Sequence, residues 1–285
     1  MPAELPFRLL DAEGVKTLIE WARAEGWNPG IHDADLFYQA DPEGFYGYFD
    51  QQTMIAGGSL VSYDGHFGFM GLFIVSPEYR GKGIGRDLWF LRRDHLLQRL
   101  KPNASIGMDG VLAMQKFYAK GGFEIAFRDE RYALQGTAGE WAMNVYPLAE
   151  EDMPQVLDLD VQCFGFNRSH FMRQWIQQAQ AISLVYRKNQ KVMGFAVMRK
   201  AQDGYKIGPL FADNEHIAQS LYSSCLHAAP GETVYLDIPV TNAAALQMVK
   251  RMGATYVFEC ARMYYGTAPE LPIEKIFGIT SFELG

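Results

Sequence analysis

Cysteine is scarce in the 285-residue sequence: Cys163, Cys225 and Cys260 are the only three, far apart and odd in number. No spacing among them suits a zinc ligand set or a disulfide framework, so they read as small buried apolar side chains in a reducing compartment. No apolar run approaches the roughly 18 residues needed to span a bilayer. The start, MPAELPFRLL, lacks the basic flank and apolar core of a secretory signal. Positive charge is also short, since 26 Lys and Arg against 33 Asp and Glu leave a formal charge of −7. Without a basic face the chain is a poor match for nucleic acid, whose phosphates must be neutralised. These absences imply a soluble, cytoplasmic protein with no metal and no nucleic-acid or membrane partner.

Core-forming material is plentiful, with 48% hydrophobic and 14% aromatic residues, and the length suits two domains. After a short strand at 7–10, Asp11 caps a helix whose stripe is Val15, Leu18, Ile19 and Ala22, ending at Gly26. A short helix follows at 35–39. Extended segments at 44–50, 54–63 and 66–75, separated by turn residues, form an antiparallel meander. A helix at 85–100, a strand at 104–109, a helix at 111–120 and strands at 123–127 and 131–134 complete the first half. The small, polar stretch 135–139 reads as a joint between domains 1–135 and 140–285.

Beyond that joint the order returns: strand 143–148, helices 152–163 and 171–180, strands 183–187, 192–199 and 205–211, helix 215–227, strand 233–238, helix 243–252 and strand 256–259. Met70-Gly71-Leu72-Phe73 has a counterpart in Ile207-Gly208-Pro209-Leu210-Phe211, and Lys120-Gly121-Gly122-Phe123 in Arg251-Met252-Gly253-Ala254. Gly71 and Gly122 are 51 positions apart, Gly208 and Gly253 only 45, so the second copy is six residues short.

The missing stretch corresponds to the most informative segment of the first copy. Arg80-Gly81-Lys82-Gly83-Ile84-Gly85-Arg86 joins an apolar strand to a helix, with three glycines in five positions. Glycine permits positive φ and close approach, so successive N–H groups can face an anion at the helix N-terminus. Arg80, Lys82 and Arg86 add charge, which makes the segment a pyrophosphate cradle. It lacks the Gly-Lys-Ser/Thr order of a Walker loop and is not the dinucleotide fingerprint of a first βαβ strand.

With the preceding Phe73-Ile74-Val75, the R-x-x-G-x-G pattern of Arg80, Gly83 and Gly85 resembles the acyl-CoA loop of GNAT acetyltransferases. Ala113-Met114-Gln115-Lys116-Phe117-Tyr118-Ala119-Lys120-Gly121-Gly122-Phe123 resembles the helix-to-strand signature of the same family. The likeness covers about residues 5–135, and the two-copy layout is similar to a bacterial group of YitI-type acetyltransferases. It implies an α+β fold of tandem GNAT units, each a mixed, mostly antiparallel sheet flanked by helices. It also implies acetyl-CoA as cosubstrate and acetyl transfer to a primary amine, with a small molecule as acceptor.

By that resemblance the fourth strand splays from the fifth. Phe73, Ile74 and Val75 would bond pantetheine through their backbone, and one of their N–H groups would hold the thioester oxygen. Arg80, Gly81, Lys82, Gly83, Ile84 and Gly85 would take the pyrophosphate, and Tyr118 would protonate the departing thiolate. Relatives often carry a glutamate on the fourth strand to deprotonate the amine; residues 67–75 have none. Asp109 is the nearest alternative base. Glu25, Trp27, Asn28, Asp33 and Asp35 are candidates for the amine pocket, although each suits a cap, a solvated group or loop packing equally. His32 and His66 read as ordinary lone histidines.

In the second copy, Pro209-Leu210-Phe211-Ala212-Asp213-Asn214-Glu215 has no glycine or basic residue after Phe211, and Tyr118 aligns with Val249. That half is expected to keep the fold without the chemistry and to shape the amine pocket. Arg262, Tyr264, Tyr265 and 273–284 could reach the cleft, with solvent-facing or edge positions as the default. Two rival readings are a non-catalytic acyl-CoA sensor and an enzyme acting on a protein amine.

Overall fold

A computed structural model describes residues 5–285. Its first half runs β1 (Phe7–Leu9), α1 (Ala12–Ala24), α2 (Asp33–Ala40), β2 (Phe45–Asp50), β3 (Thr53–Tyr63), β4 (Phe67–Val75), α3 (Ile84–Arg99), β5 (Ser105–Val111), α4 (Gln115–Lys120) and β6 (Phe123–Gln135). The second half follows with β7 (Val145–Pro147), α5 (Met153–Phe164), α6 (Ser169–Gln177), β8 (Ile182–Lys188), β9 (Lys191–Lys200), β10 (Tyr205–Ala212) and α7 (Glu215–Ala228). It ends with β11 (Thr233–Pro239), α8 (Ala243–Arg251), β12 (Thr255–Tyr265) and β13 (Ile276–Gly278). Local chemistry accounts for many boundaries. Asp11 accepts from the Gly14 N–H at 2.9 Å and starts α1, which buries Val15, Leu18, Ile19 and Ala22. Asp64 and Gly65 both take positive φ in the β3–β4 turn, as a tight hairpin demands. No helix among the described residues is long and apolar enough to cross a membrane.

The two halves do not form separate sheets. Among the described residues all 13 strands belong to one sheet, ordered β1-β2-β3-β4-β5-β12-β6-β11-β10-β9-β8-β7, with β13 paired to β10 off that path. Strand β12, from the C-terminal half, lies antiparallel between β5 and β6, and β6 in turn pairs antiparallel with β11. Each half therefore lends its last long strand to the other.

This exchange corrects two expectations. Residues 123–135 form one strand, not two, because the charged run Arg128-Asp129-Glu130 left between the two expected strands lies within the ladder. Strand β12 continues to Tyr265, and Arg262 and Tyr264 are buried between β5 and β6, not exposed or at an edge. Paired strands on either side supply the burial that sequence polarity alone does not suggest.

Past β13, residues 279–285 cross the middle of the sheet. The Thr280 carbonyl lies against Gly208 and the Glu283 carbonyl against Gly71, so a Cβ at either glycine would collide with main chain. The two glycines that mark the repeat thus serve one purpose, letting this segment pass. Around it, buried arginines are matched by buried acids. Arg168 grips Asp160 at 2.9 and 2.7 Å and donates to the Gly285 main-chain oxygen at 2.9 Å. Arg131 of β6 grips Asp237 of β11 at 2.6 and 2.7 Å, and its guanidinium stacks over Phe258 and Phe282.

Breaking such a pair strands a charge away from water. Arg131→Met is expected to lower stability in urea denaturation by about 3–5 kcal/mol, with less lost when Asp237 is also replaced by Leu. An unchanged denaturation midpoint for the single variant would contradict this account of the seam between halves.

Candidate active site

The site begins where the β4–β5 ladder stops. These strands pair in parallel only from Phe67 with Ser105 to Met70 with Met108. On its other side β4 carries a bulge, in which Leu72 and Phe73 together oppose Gly58, and Leu72 takes the left-handed region at φ 49°. Arg92 of α3 is wholly buried beneath the bulge and donates to the Gly71 carbonyl at 2.8 Å and to the Ser59 carbonyl. Burial pushes Arg92 down to about 9. Gly58 must lack a side chain, since a Cβ would meet that guanidinium. Beyond Met70, no strand pairs with the β5-facing edge of residues 71–75 among the described residues.

A cavity of about 820 Å³ fills the opening. Its mouth is the glycine-rich segment. Gly81 and Gly83 have φ of +75° and +83°, and nothing lies within 4 Å of the Cβ that either would carry. Gly83 stands at the N-cap of α3 with no side-chain cap, and no backbone carbonyl accepts from the N–H groups of residues 81–85 among the described residues. Donors, left-handed glycines and open space combine here into an anion cradle. Arg80 donates from Nε to the Val75 carbonyl at 2.9 Å and pairs with Glu25, while Arg86 also lines the cavity. Lys82 and Ile84 are not among the lining side chains; Lys82 lies over the Tyr79 ring at 4.9 Å.

At the inner end, Tyr118 of α4 is 5% exposed and its ring stacks on Trp89. Burial, opposed by the Arg92 charge, raises its hydroxyl to about 12, so it keeps its proton at neutral pH. Asp109 lines the cavity too, but Arg262 of β12 holds both of its oxygens, at 2.7 and 2.9 Å. Burial pushes Asp109 up to about 6 against the pull of that arginine. Asp129 of β6, paired in register with Cys260, is fully buried, and neither of its oxygens has a hydrogen-bond partner. Burial, then the Asp109 charge, hold its carboxyl well above the usual range.

The C-terminal half closes the cavity through Phe258, Cys260, Phe282 and Glu283. Phe282 and Glu283 fall in the segment 273–284, expected to reach the cleft at most as an exception, whereas Phe258 and Cys260 carry no sequence signal and depend on the exchanged strand. Burial and the nearby acids push the Cys260 thiol upward, which keeps it protonated.

The residues expected at the amine pocket divide. Glu25 and Trp27 line the cavity. Asn28 and Asp33 do not, because both are committed to the other half. Asn28 exchanges two 2.8 Å hydrogen bonds with the Asp203 backbone, and buried Asp33 accepts from Arg199 at 3.1 Å and from the Gly30 N–H at 2.7 Å.

The corresponding place in the second copy has no cradle. Asn214 caps α7 with its own side chain, accepting from the Ile217 N–H at 3.2 Å, and Lys275 is bound to Asp213 at 3.1 Å. The three cysteines are free and buried. No cluster of metal-ligating side chains occurs among the described residues.

Comparison with known proteins agrees with this geometry. The description "Acetyltransferase (GNAT) family" matches residues 13–123, and "Acetyltransferase (GNAT) domain" matches residues 156–278. A Pseudoalteromonas protein named holothin acyltransferase is 30% identical over 269 residues, covering 93% of this chain and 90% of that protein. An uncharacterised N-acetyltransferase of Bacillus subtilis, YitH, is 22% identical and covers 97% of both chains. Among solved structures, a candidate acetyltransferase from Pyrococcus horikoshii superposes with a TM-score of 0.85 at 20% identity, covering 100% of this chain and 97% of that one. A tandem GNAT protein from the clavulanic acid biosynthesis pathway superposes at 0.64 with 14% identity, covering 94% and 100%. At these identities the two structures share the fold.

Asp129 makes a prediction about pH. Its native pKa is raised, so above the unfolded-state value near 3.9 the unfolded chain releases a proton that the native chain keeps. This group's contribution to stability is therefore present below that value and lost as pH rises, by about 1.4 kcal/mol per unit until the native group ionises. Asp129→Asn removes the loss, so the variant should gain on the wild type as pH rises above about 4 in denaturant titrations. Parallel stability profiles would contradict it.

Proposed function

The chain belongs to the GNAT acetyltransferase family, and on that premise we propose that it transfers acetyl from acetyl-CoA to a primary amine of a small molecule, at a single site in its N-terminal half. The family's chemistry is acyl transfer from an acyl-CoA. The observation that carries the single-site reading is the open, uncapped cradle before α3, set against the side-chain-capped start of α7.

In this reading the N–H groups of residues 81–85 and Arg80 take the diphosphate, with Lys82 as a flanking charge. The unpaired edge of Phe73, Ile74 and Val75 bonds the pantetheine arm. One of its N–H groups faces the thioester oxygen and stabilises the charge that develops there. Tyr118, which keeps its proton, donates to the departing sulfur. Asp109, both of whose oxygens accept from Arg262, is assigned to orienting that arginine. The division into a catalytic segment 1–135 and a degenerate segment 140–285 belongs to the same proposal, with the latter acting through the wall it supplies. That wall closes the inner side of the cavity, which favours a small acceptor over a protein amine.

Thiol release from acetyl-CoA, measured with holothin and a panel of alkyl and aryl primary amines, tests the reaction. Release no faster than without acceptor, across the panel, would contradict it. A Cβ at Gly83 finds space but not an allowed φ, so Gly83→Val should distort the cradle. Its dissociation constant for CoA, measured by calorimetry, should rise about 10-fold or more. Tyr118→Phe should leave CoA affinity unchanged and lower kcat by about 100-fold; an unchanged kcat would remove Tyr118 from the mechanism.

A further inference from the structure

An amine is mostly protonated at neutral pH and must lose a proton before its lone pair can attack a carbonyl carbon. Three carboxylates line the cavity: Glu25, Asp109 and Glu283. Glu25 is paired with Arg80, and Asp109 is held through both oxygens by Arg262. Glu283 differs from both. It is 5% exposed, its Oε2 has no hydrogen-bond partner among the described residues, and the cation nearest its Oε1, Lys206 Nζ, is 3.9 Å away.

The main chain that carries Glu283 is fixed against the opening of the sheet. Its carbonyl lies over Gly71, where any side chain would displace it, and the Ser59 hydroxyl donates to it at 3.5 Å. The Tyr63 hydroxyl donates to the next carbonyl, that of Leu284, at 2.7 Å, and the Leu284 N–H donates to Ser281 Oγ at 3.1 Å. Gly71 immediately precedes the Leu72–Phe73 bulge. The carboxylate thus enters the cavity beside the strand edge that receives the thioester carbonyl in the reading above, on a strand with no acidic residue of its own.

We infer that Glu283, delivered by the segment that crosses from the C-terminal half, is the general base for the acceptor amine; this rests on the acetyltransfer reading. The acceptor ammonium gives one N–H proton to the Glu283 carboxylate. The freed lone pair bonds to the thioester carbonyl carbon, and the C–S bond breaks with its electron pair on sulfur. The sulfur takes a proton from the Tyr118 hydroxyl, which is replenished by the second proton leaving nitrogen. The products are the amide and the free thiol, and Glu283 releases its proton to solvent. Trp27, Phe258 and Phe282 also line the cavity, which suits an acceptor with an apolar body. The charged groups facing Glu283 are Lys206 of β10, Arg131 of β6 and Asp109 of β5.

The test uses the full chain in two arms. In the first, CoA without an acyl group is bound and benzylammonium is titrated by calorimetry. Wild type should bind it at least 10-fold more tightly than Glu283→Gln, and equal binding by the two overturns the inference. In the second, the amine best acetylated by wild type is followed against pH. E283Q should lower kcat by about 100-fold or more, with CoA affinity unchanged. Its remaining rate should climb about tenfold per pH unit where wild type levels off, because the amine then loses its proton to solvent. Glu283→Asp, which keeps a carboxylate, should recover part of the rate. An E283Q kcat within threefold of wild type overturns the assignment alone, whereas a wild type that acetylates no amine overturns the reaction on which it rests.

Discussion

The parting of β4 from β5 after Met70 and Met108 is the constraint on which the other features of the molecule depend. A sheet that stayed paired would leave no cavity, no free strand edge and no place for the loop before α3 to face inward. The opening is held from below by Arg92, which satisfies the carbonyls of Ser59 and Gly71 around the bulge. A buried guanidinium is a costly way to hold a strand. It does so at the one point where a regular ladder cannot, and it accounts for Gly58 on β3. The cradle, the strand edge and Tyr118 are successive stations along that single opening.

The C-terminal half contains the same kind of opening and uses it differently. Strands β10 and β11 pair in parallel only from Tyr205 with Val234 to Ile207 with Leu236, and β13 then pairs with β10 at Leu210 and Phe211. The space a ligand would take is occupied by the protein's own chain, which continues across to Gly71. One copy is thus filled by the segment that completes the other. The exchange of β6 and β12 places Phe258 and Cys260 in the wall of the N-terminal cavity and ties that wall to buried pairs such as Arg131 with Asp237.

Much of this was legible in the residues. The glycine-rich loop, the Tyr118 helix, the antiparallel meander and the repeat could all be read because each depends on local spacing: positive φ at glycine, an apolar stripe at helical period, a turn between alternating strands. The exchange could not be read. Arg128-Asp129-Glu130 is a charged break between two expected strands, and only the strands on either side make it a strand interior. Asn28 and Asp33 have the polarity of pocket residues, and their partners, Asp203 and Arg199, lie some 170 positions away. Glu283 carries no local signature at all, because its position follows from a segment crossing two glycines, Gly208 and Gly71, that are distant in sequence.

The account's central claim is that one opening, in the N-terminal half, receives the acyl-CoA. Backbone hydrogen exchange followed by mass spectrometry, with and without CoA, addresses it without reference to any acceptor. The account predicts slowed exchange across residues 73–86 and no change across residues 209–216. Protection confined to residues 209–216, with 73–86 unaffected, would contradict it.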